Sequence, residues 1–319
     1  MEKNNISFVG LTVAPNQRIH GWVPVLDTGY EMPVTVINGA FEGPTLLITS
    51  GVHGGEYPGI QTAIELSNEL DPAALHGQVA IIHPVNLRAF YERVSYCVLE
   101  DGKNINRVFP GKKDGTLAEQ IAYVVSTEFQ AKADAYLDLH GGDLHEQLPP
   151  YVYYAGVEDE AVMEKAIAMA EVVECAYLVK SFNYGGAMGS ATKVYGVPAL
   201  LIERGGRGLW TPEEVADYKR NIHNVLCYLG IEKGKAVFPE KKPIKLSADI
   251  TLTAEKAGAW YPAVQLGDSV KAGQVLGEVR DMFGSVQETL VAEKDALVIY
   301  MVVSLAVSGG APLISLGVV

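Results

Sequence analysis

The sequence has little positive charge, few cysteines and no long apolar run. It carries 25 Lys and Arg residues against 38 Asp and Glu residues, which gives a formal net charge of −13. Because phosphates and anionic lipid headgroups bind surfaces rich in Lys and Arg, this deficit argues against a nucleic-acid partner and against a membrane partner. No segment approaches the roughly 20 apolar residues that a membrane-spanning helix needs. We therefore expect a cytoplasmic protein.

The three cysteines, Cys97, Cys175 and Cys227, are far apart, and no CxxC pair occurs. This pattern predicts neither a disulfide framework nor a cysteine-based zinc site. The N-terminal stretch lacks the apolar core of a signal peptide, so none is expected. What remains is a chain of 319 residues with 48% hydrophobic content, which is long enough for a large core and more than one domain.

The first three quarters of the chain alternate between predicted strands and predicted helices. Short apolar runs that are typical of buried strands occur at residues 45–49, 78–83, 135–140 and 198–203. Helical spacing occurs at residues 60–70, 117–133 and 158–174. This alternation predicts an α/β catalytic domain over residues 1–235, with a mixed sheet flanked by helices.

The pattern of residue types changes after a charged, proline-containing linker at residues 233–247. Beyond it, short β-type runs alternate with glycines, which predicts a small all-β domain over residues 247–319, hammerhead- or barrel-like in form. The stretch GDSVKAGQVLGEV resembles biotinyl and lipoyl carriers, and Lys294 lies near where such a carrier displays its modified lysine. The Met-Lys-Met context of biotin carriers is absent, so we expect an unmodified surface lysine. A carrier module, detectable as added mass on Lys294, is the alternative.

Polar clusters follow the apolar strands repeatedly. HGGE follows the first of them, HGGD follows a second and ERGG follows a third. Because ligands in α/β sheets gather beyond the carboxyl ends of the strands, these clusters indicate one common site.

Two of these clusters contain residues that can bind a metal ion. His53 and Glu56 lie three residues apart among glycines, and a catalytic zinc needs about three protein ligands and an open position. His140, at the end of a predicted strand, is the best candidate for the third ligand. His145 is its nearest rival but lies further from the strand end. Each residue alone is more often an ordinary loop or strand-end residue, and only the combination favours a metal site.

Glu203 ends another apolar run and is the candidate general base for a zinc hydrolase. A carboxylate that emerges from a buried strand is costly unless it is paired or used. The alternative is a salt bridge to Arg204 or Arg207. Asp138 precedes His140 by two residues on a strand, so it either orients the imidazole or caps a nearby loop.

A polar loop supplies candidates for substrate binding. The guanidinium of Arg107 matches a carboxylate in geometry, and the adjacent amide of Asn106 can complete the clamp. The alternative is an ordinary surface arginine. Arg88 and Arg93, a little upstream, are candidates for the cation that stabilises a tetrahedral oxyanion.

These candidate residues lie in stretches that are typical of one known family. Most of the chain from residue 30 onward resembles the succinylglutamate desuccinylase/aspartoacylase family, within the zinc carboxypeptidase-like superfamily. The stretches GVHGGEYPG, NINRVFPG, DLHGGD and ALLIERGG occur in the order found in that family. The resemblance implies one Zn2+ per chain, bound by His53, Glu56 and His140. It also implies that Glu203 is the catalytic base and that Asn106 and Arg107 hold the substrate carboxylate.

The resemblance implies an oxyanion-stabilising arginine upstream of Arg107. Arg93 is our choice, although it lies further from Arg107 than the family pattern expects, and Arg88 is the alternative. Arg204 stands where the family often has an apolar residue. The implied reaction is hydrolysis of the linear amide bond of an N-acyl amino acid, which is a small-molecule substrate. The resemblance also makes a homo-oligomer plausible. The closest rival is a zinc metallocarboxypeptidase that acts on short peptides.

Overall fold

The computed structural model describes residues 4–157 and 159–319. The strands in chain order are β1 Ile6–Phe8, β2 Leu11–Val13, β3 Gln17–Pro24, β4 Glu31–Asn38, β5 Phe41–Ser50, β6 His76–Ile82, β7 Ala135–His140, β8 Glu146–Ala155, β9 Tyr177–Ser181, β10 Ala199–Gly206, β11 Ile244–Leu246, β12 Ala248–Thr253, β13 Gly258–Pro262, β14 Ser269–Val270, β15 Val275–Arg280, β16 Val286–Val291, β17 Ala296–Val302, β18 Ala306–Val307 and β19 Pro312–Val318. The helices are α1 Tyr57–Glu69, α2 Leu87–Glu92, α3 Leu117–Val124, α4 Glu160–Ala170, α5 Ala187–Tyr195 and α6 Pro212–Tyr228. None of these described helices is long and apolar enough to cross a membrane.

One large mixed sheet organises the molecule, in the order β12-β19-β17-β8-β10-β7-β5-β6-β4-β3. Its centre is parallel, because β5 pairs in parallel with both β6 and β7, and β7 pairs in parallel with β10. The neighbouring strand β8 runs antiparallel to β10. The predicted α/β fold with a mixed sheet flanked by helices is confirmed.

Both faces of the central sheet are buried, which explains why its strands are continuously apolar. Leu47 and Tyr136 belong to one hydrophobic cluster, together with residues of α3 and α5. Their neighbours Leu46 and Leu137 belong to a second cluster, with residues of α1, α4 and α6. Because successive side chains on a strand point to opposite faces, these two clusters lie on opposite sides of the sheet.

The C-terminal part of the chain extends this sheet. Residues 244–319, all of which the structure describes, contribute strands and no helix. Strands β12, β19 and β17 join the large sheet, while β16, β15, β13 and β18 form a smaller one. Lys294 is exposed in the turn between β16 and β17. The division into domains at residues 235–247 stays a prediction.

Candidate metal centre

Three neighbouring parallel strands bring the predicted site residues to one edge of the sheet. His53 and Glu56 lie in the turn between β5 and α1, His140 ends β7, and Glu203 lies on β10. Glu203 is the direct partner of His140 in the register of β10 and β7. The clusters that follow separate strands in the sequence therefore meet, as expected for the carboxyl ends of parallel strands.

His53, which is partly buried, forms a group with the buried residues Glu56 and His140 that can hold a metal ion. One ligand atom from each residue lies within 4.8 Å of the others. Nδ1 of His53 is 2.7 Å from Oε1 of Glu56, and Nδ1 of His140 is 3.0 Å from Oε2 of Glu56. Glycines make this turn feasible: a Cβ on Gly54 would overlap the backbone of Phe90.

The outer nitrogen of each imidazole faces an oxygen atom. Nε2 of His53 is 3.1 Å from Oδ1 of Asn104. That Oδ1 also accepts the backbone N–H of Asn106 at 2.7 Å, so it is the oxygen of the amide and Nε2 of His53 must carry the proton. Nε2 of His140 is 3.0 Å from Oδ2 of Asp138, a distance that favours a proton on Nε2 although the two atoms do not form a hydrogen bond. Of the two roles predicted for Asp138, the geometry favours orienting the imidazole.

The Nδ1 atoms of the two imidazoles therefore point their lone pairs at the carboxylate of Glu56, unless a second proton or a cation lies between them. Burial alone would raise the pKa of Glu56, but His140 and His53 outweigh it and lower that pKa to about 2. Burial opposes charge on His140 as well, yet Asp138 and Glu56 raise its pKa well above the usual value. A cation bound by both Nδ1 atoms and the carboxylate of Glu56 would satisfy all three groups. The donor set of two imidazoles and one carboxylate fits a metal such as zinc.

Glu203 is a partly buried residue beside this cluster. Its Oε2 is buried and has no hydrogen-bond partner among the described residues. Burial raises the pKa of Glu203 well above its usual value; His140 opposes this shift, and Glu56 adds to it. The predicted alternative, a salt bridge to Arg204, does not form, because Arg204 donates to Asp217 at 2.9 Å and to the carbonyl of Glu174 at 3.0 Å. Arg207 is exposed.

Asn106 and Arg107 both line the cavity that contains the cluster. Asn106 is 5% exposed, and its Oδ1 accepts the backbone N–H of Ala187 at 2.8 Å. Arg107 is exposed, and its Nη1 donates to the carbonyl of Asn106 at 2.8 Å. The structure therefore brings this predicted pair to the same cavity as the metal cluster.

The two upstream arginines lie elsewhere. Arg93 follows the end of α2 in a left-handed conformation, with φ of 56°, and is exposed. Arg88 forms an ion pair with Glu100 and lies 5.2 Å from the ring centre of Tyr30. Neither arginine lines the cavity. The role of Arg93 as the oxyanion-stabilising residue stays a prediction.

The cavity has a volume of about 840 Å³ and is lined by residues from both parts of the chain. Several lining residues were not predicted: Tyr96, Asn104, Asp143, Glu146, Tyr151, Tyr153, Lys180, Asp249 and Tyr300. Burial, and then the charge of Glu56, raise the pKa of Asp143 to about 6. Asp143 ends the HGGD stretch and could have been noticed in the sequence, whereas Tyr300 and Asp249 come from C-terminal strands that carry no local signal.

His145, the rival of His140, lies outside the cavity lining. Its Nδ1 is 3.3 Å from the hydroxyl of Ser95. The structure therefore brings His140, and not His145, to His53 and Glu56.

The chain is similar to known proteins in both sequence and fold. The family model for the succinylglutamate desuccinylase/aspartoacylase catalytic domain matches residues 42–229. The N-alpha-acetyl-L-2,4-diaminobutyric acid deacetylase of Halomonas elongata is 32% identical over 256 residues, which cover 79% of this chain and 74% of that protein.

Solved structures with the same fold include an ectoine utilization protein and a succinylglutamate desuccinylase. The product-bound ectoine utilization protein EutE (DoeB) from Ruegeria pomeroyi is 26% identical, with a TM-score of 0.86 and coverage of 100% of both chains. A succinylglutamate desuccinylase from a Silicibacter species is 25% identical, with a TM-score of 0.82 and coverage of 99% of this chain and 100% of that chain.

Proposed function

Because the chain belongs to the succinylglutamate desuccinylase/aspartoacylase family, we propose that it is a zinc-dependent deacylase that hydrolyses the amide bond of an N-acyl amino acid. One observation carries the proposal. Two histidines and a glutamate that can hold a metal lie beside a second, unpaired glutamate at the ends of three adjacent strands, inside one cavity.

In this proposal His53, Glu56 and His140 would hold one zinc ion. Asn104 and Asp138 hold the two imidazoles through Nε2. When bound, zinc polarises the amide carbonyl and lowers the pKa of a water molecule toward about 7.

Glu203 is the proposed general base. Burial moves the pKa of its carboxyl group upward, toward the range in which a group can both accept and release a proton. It takes a proton from the attacking water and delivers it to the nitrogen of the leaving amine. Asn106 and Arg107 hold the carboxylate of the substrate, and Arg93 is proposed to stabilise the carbonyl oxygen. Arg93 lies on the chain segment whose residue Tyr96 lines the cavity.

For the substrate we propose an N-acetyl amino acid with a second amino group, such as N-acetyl-2,4-diaminobutyrate. The Halomonas relative is named as a deacetylase of that compound. The composition of the cavity supports this choice, because the carboxylates of Asp143, Glu146 and Asp249 line it in addition to Glu56 and Glu203. The cationic side chains in the lining are Lys180 and Arg107. An excess of carboxylates favours a substrate with an ammonium group over one with an acidic side chain.

The test is a screen of N-acyl amino acids with the zinc-loaded protein. It should include N-acetyl-2,4-diaminobutyrate, N-acetylaspartate, succinylglutamate and a dipeptide. Hydrolysis of the acetyl compounds with little cleavage of the dipeptide supports the deacylase. Preference for the dipeptide would instead support the metallocarboxypeptidase. We favour the deacylase because residues of β12 and β17 form part of the cavity wall.

A further inference from the structure

A tyrosine of α6 joins the backbones of the two strands that carry His140 and Glu203. The side chain of Tyr218 is completely buried, and its hydroxyl donates to the carbonyl oxygen of Ile202 at 3.0 Å. The same hydroxyl also donates to the carbonyl oxygen of His140, so the two carbonyls share one proton. Ile202 directly precedes Glu203 on β10, and His140 ends β7. One side chain therefore holds the backbone of a proposed metal ligand and the backbone next to the proposed base.

Tyr218 reaches these carbonyls from the face of the sheet that is opposite to the proposed base. Tyr218 and Ile202 belong to one hydrophobic cluster, whereas Leu201, which lines the cavity, belongs to the cluster on the other face. Because side chains alternate along a strand, Glu203 points to the same face as Leu201. The tyrosine therefore contacts the backbone without occupying the space beside the carboxyl group of Glu203.

The end of β10 needs contacts of this kind. The register between β10 and β8 shifts between Glu203 and Gly205, so Glu203 is the last residue paired before a β-bulge. Bulges interrupt the ladder of hydrogen bonds and re-aim side chains next to functional sites. Glu203 is also the last residue of β10 that pairs with β7. Contacts from outside the sheet are therefore needed to fix the backbone at this point.

Helix α6 also holds the residue that follows Glu203. Nη1 of Arg204 donates to Oδ2 of Asp217 at 2.9 Å, and its guanidinium lies 5.9 Å from the ring centre of Tyr218. Asp217 and Tyr218 are consecutive on α6, so one turn of this helix contacts the residues on both sides of Glu203. Burial, and then the charge of Glu203, raise the pKa of the Tyr218 hydroxyl well above its usual value, so the hydroxyl keeps the proton that it donates.

We propose that Tyr218 is a positioning residue, whose hydroxyl fixes the distance between Glu203 and His140, while Asp217 supports it by holding Arg204. The tyrosine acts through the two strand backbones and does not touch the substrate. Its single proton lies between two carbonyl oxygens, so its removal leaves two buried acceptors that repel each other and lets the strand ends move apart. The roles of Glu203 as base and of His140 as ligand rest on the proposed function.

Tyr218→Phe tests the role of the hydroxyl, because it keeps the ring. With saturating zinc and the N-acetyl amino acid that wild type hydrolyses fastest, kcat should fall about tenfold, while KM stays within about twofold. Tyr30→Phe is the matched control, because the buried hydroxyl of Tyr30 donates to the carbonyl of Val85 at 3.0 Å, outside the cavity lining. The control should keep wild-type kcat. Wild-type kcat in Tyr218→Phe, or an equal loss in both variants, would overturn the proposal.

A double variant separates the positioning of Glu203 from a general structural role. In the Glu203→Gln protein the base is absent, so adding Tyr218→Phe should change the remaining kcat by less than about twofold. A further loss of about tenfold in that protein would show that the hydroxyl does not act through Glu203.

Zinc affinity gives a readout that needs no turnover. Because the same hydroxyl holds the backbone of His140, Tyr218→Phe should weaken zinc binding about tenfold in competition with a chromophoric chelator, whereas Tyr30→Phe should bind zinc as wild type does. Equal affinities in Tyr218→Phe and wild type would refute the role at His140. If wild type binds zinc and hydrolyses none of the amides in the screen, the proposed function fails, and this measurement still decides about the tyrosine.

A second variant covers the case in which Tyr218→Phe does not fold. Asp217→Ala releases Arg204 on the other side of Glu203 and leaves the hydroxyl of Tyr218 in place. It should lower kcat severalfold and leave zinc affinity unchanged, because Asp217 pairs with Arg204 and Arg220 and not with a proposed metal ligand. Wild-type kcat in Asp217→Ala would contradict the proposal that this turn of α6 positions the base.

Discussion

Glu203 and His140 are direct partners across two parallel strands, and both residues line the same cavity. The pKa of the glutamate is raised by burial, and the nearby histidine opposes this shift. The backbone register of the sheet thus fixes the spacing between the proposed base and a proposed metal ligand. A register set by many ladder hydrogen bonds is more rigid than a loop, which suits a catalytic pair.

Glu203→Gln should retain zinc and lose most turnover. The amide keeps the size of the carboxylate but cannot accept a proton from water, and general-base catalysis contributes roughly 10²- to 10⁴-fold to rate. The measurements are kcat and zinc content by elemental analysis. Glu174→Gln is the matched control, because Glu174 pairs with Arg220 on the surface. Wild-type kcat in Glu203→Gln would remove this residue from catalysis.

His53→Ala should abolish tight zinc binding, because only two of the three proposed ligands remain. Zinc content after dialysis against a weak chelator should fall from about one per chain toward zero. His223→Ala serves as the control, because His223 lies on α6 and pairs with Glu232 at 2.7 Å. Unchanged zinc content in His53→Ala would contradict the assignment of the HGGE stretch to the metal centre.

Asn104→Ala should weaken zinc binding while leaving all three ligands in place. The substitution removes the acceptor for Nε2–H of His53, and loss of such a partner typically costs 10- to 100-fold in metal affinity. Asn104→Asp keeps an oxygen acceptor and should bind zinc more tightly than the alanine variant. Competition with a chromophoric chelator measures the affinities. Equal affinity in wild type and Asn104→Ala would show that this contact does not support the ligand.

Protonation of His83 on unfolding should lower the stability of the metal-free protein in acid. Burial, with a smaller contribution from His20, lowers the pKa of His83 to about 4, whereas an unfolded chain has a histidine pKa near 6.5. Between these values the unfolded state binds the extra proton, so stability rises with pH across this window. Wild type should gain roughly 3 kcal/mol of unfolding free energy from His83 between about pH 4 and 6.5.

The measurement is urea unfolding at several pH values, with wild type compared against His83→Asn. Asparagine keeps a polar side chain near Thr35, whose hydroxyl contacts Nε2 of His83 at 2.7 Å. Other groups also titrate in this window, and the difference between the two proteins isolates His83. Parallel pH profiles for the two proteins would contradict the prediction.

The sequence predicts site residues well where a reactive side chain comes directly at the end of a buried strand. His140 and Glu203 stand at the ends of apolar runs, so alternation and polarity suffice to predict both the sheet and the side chains at its edge. Asn104 was not predicted, because its contact with His53 depends on how a distant loop folds over the turn. Tyr300 reaches the cavity through the pairing of β17 with β8, which no local pattern encodes.

The pairing of β17 with β8 has a consequence for any shortened form of the chain. Met301 and Val302 of β17 pair with Gln147 and Glu146, at the end of β8 that borders the cavity. A protein that stopped before β11 would leave this part of β8 as an open sheet edge, with backbone groups free to pair with another molecule. We therefore expect a truncated catalytic part to aggregate rather than to work as a smaller enzyme, because the last strands protect the edge beside the site.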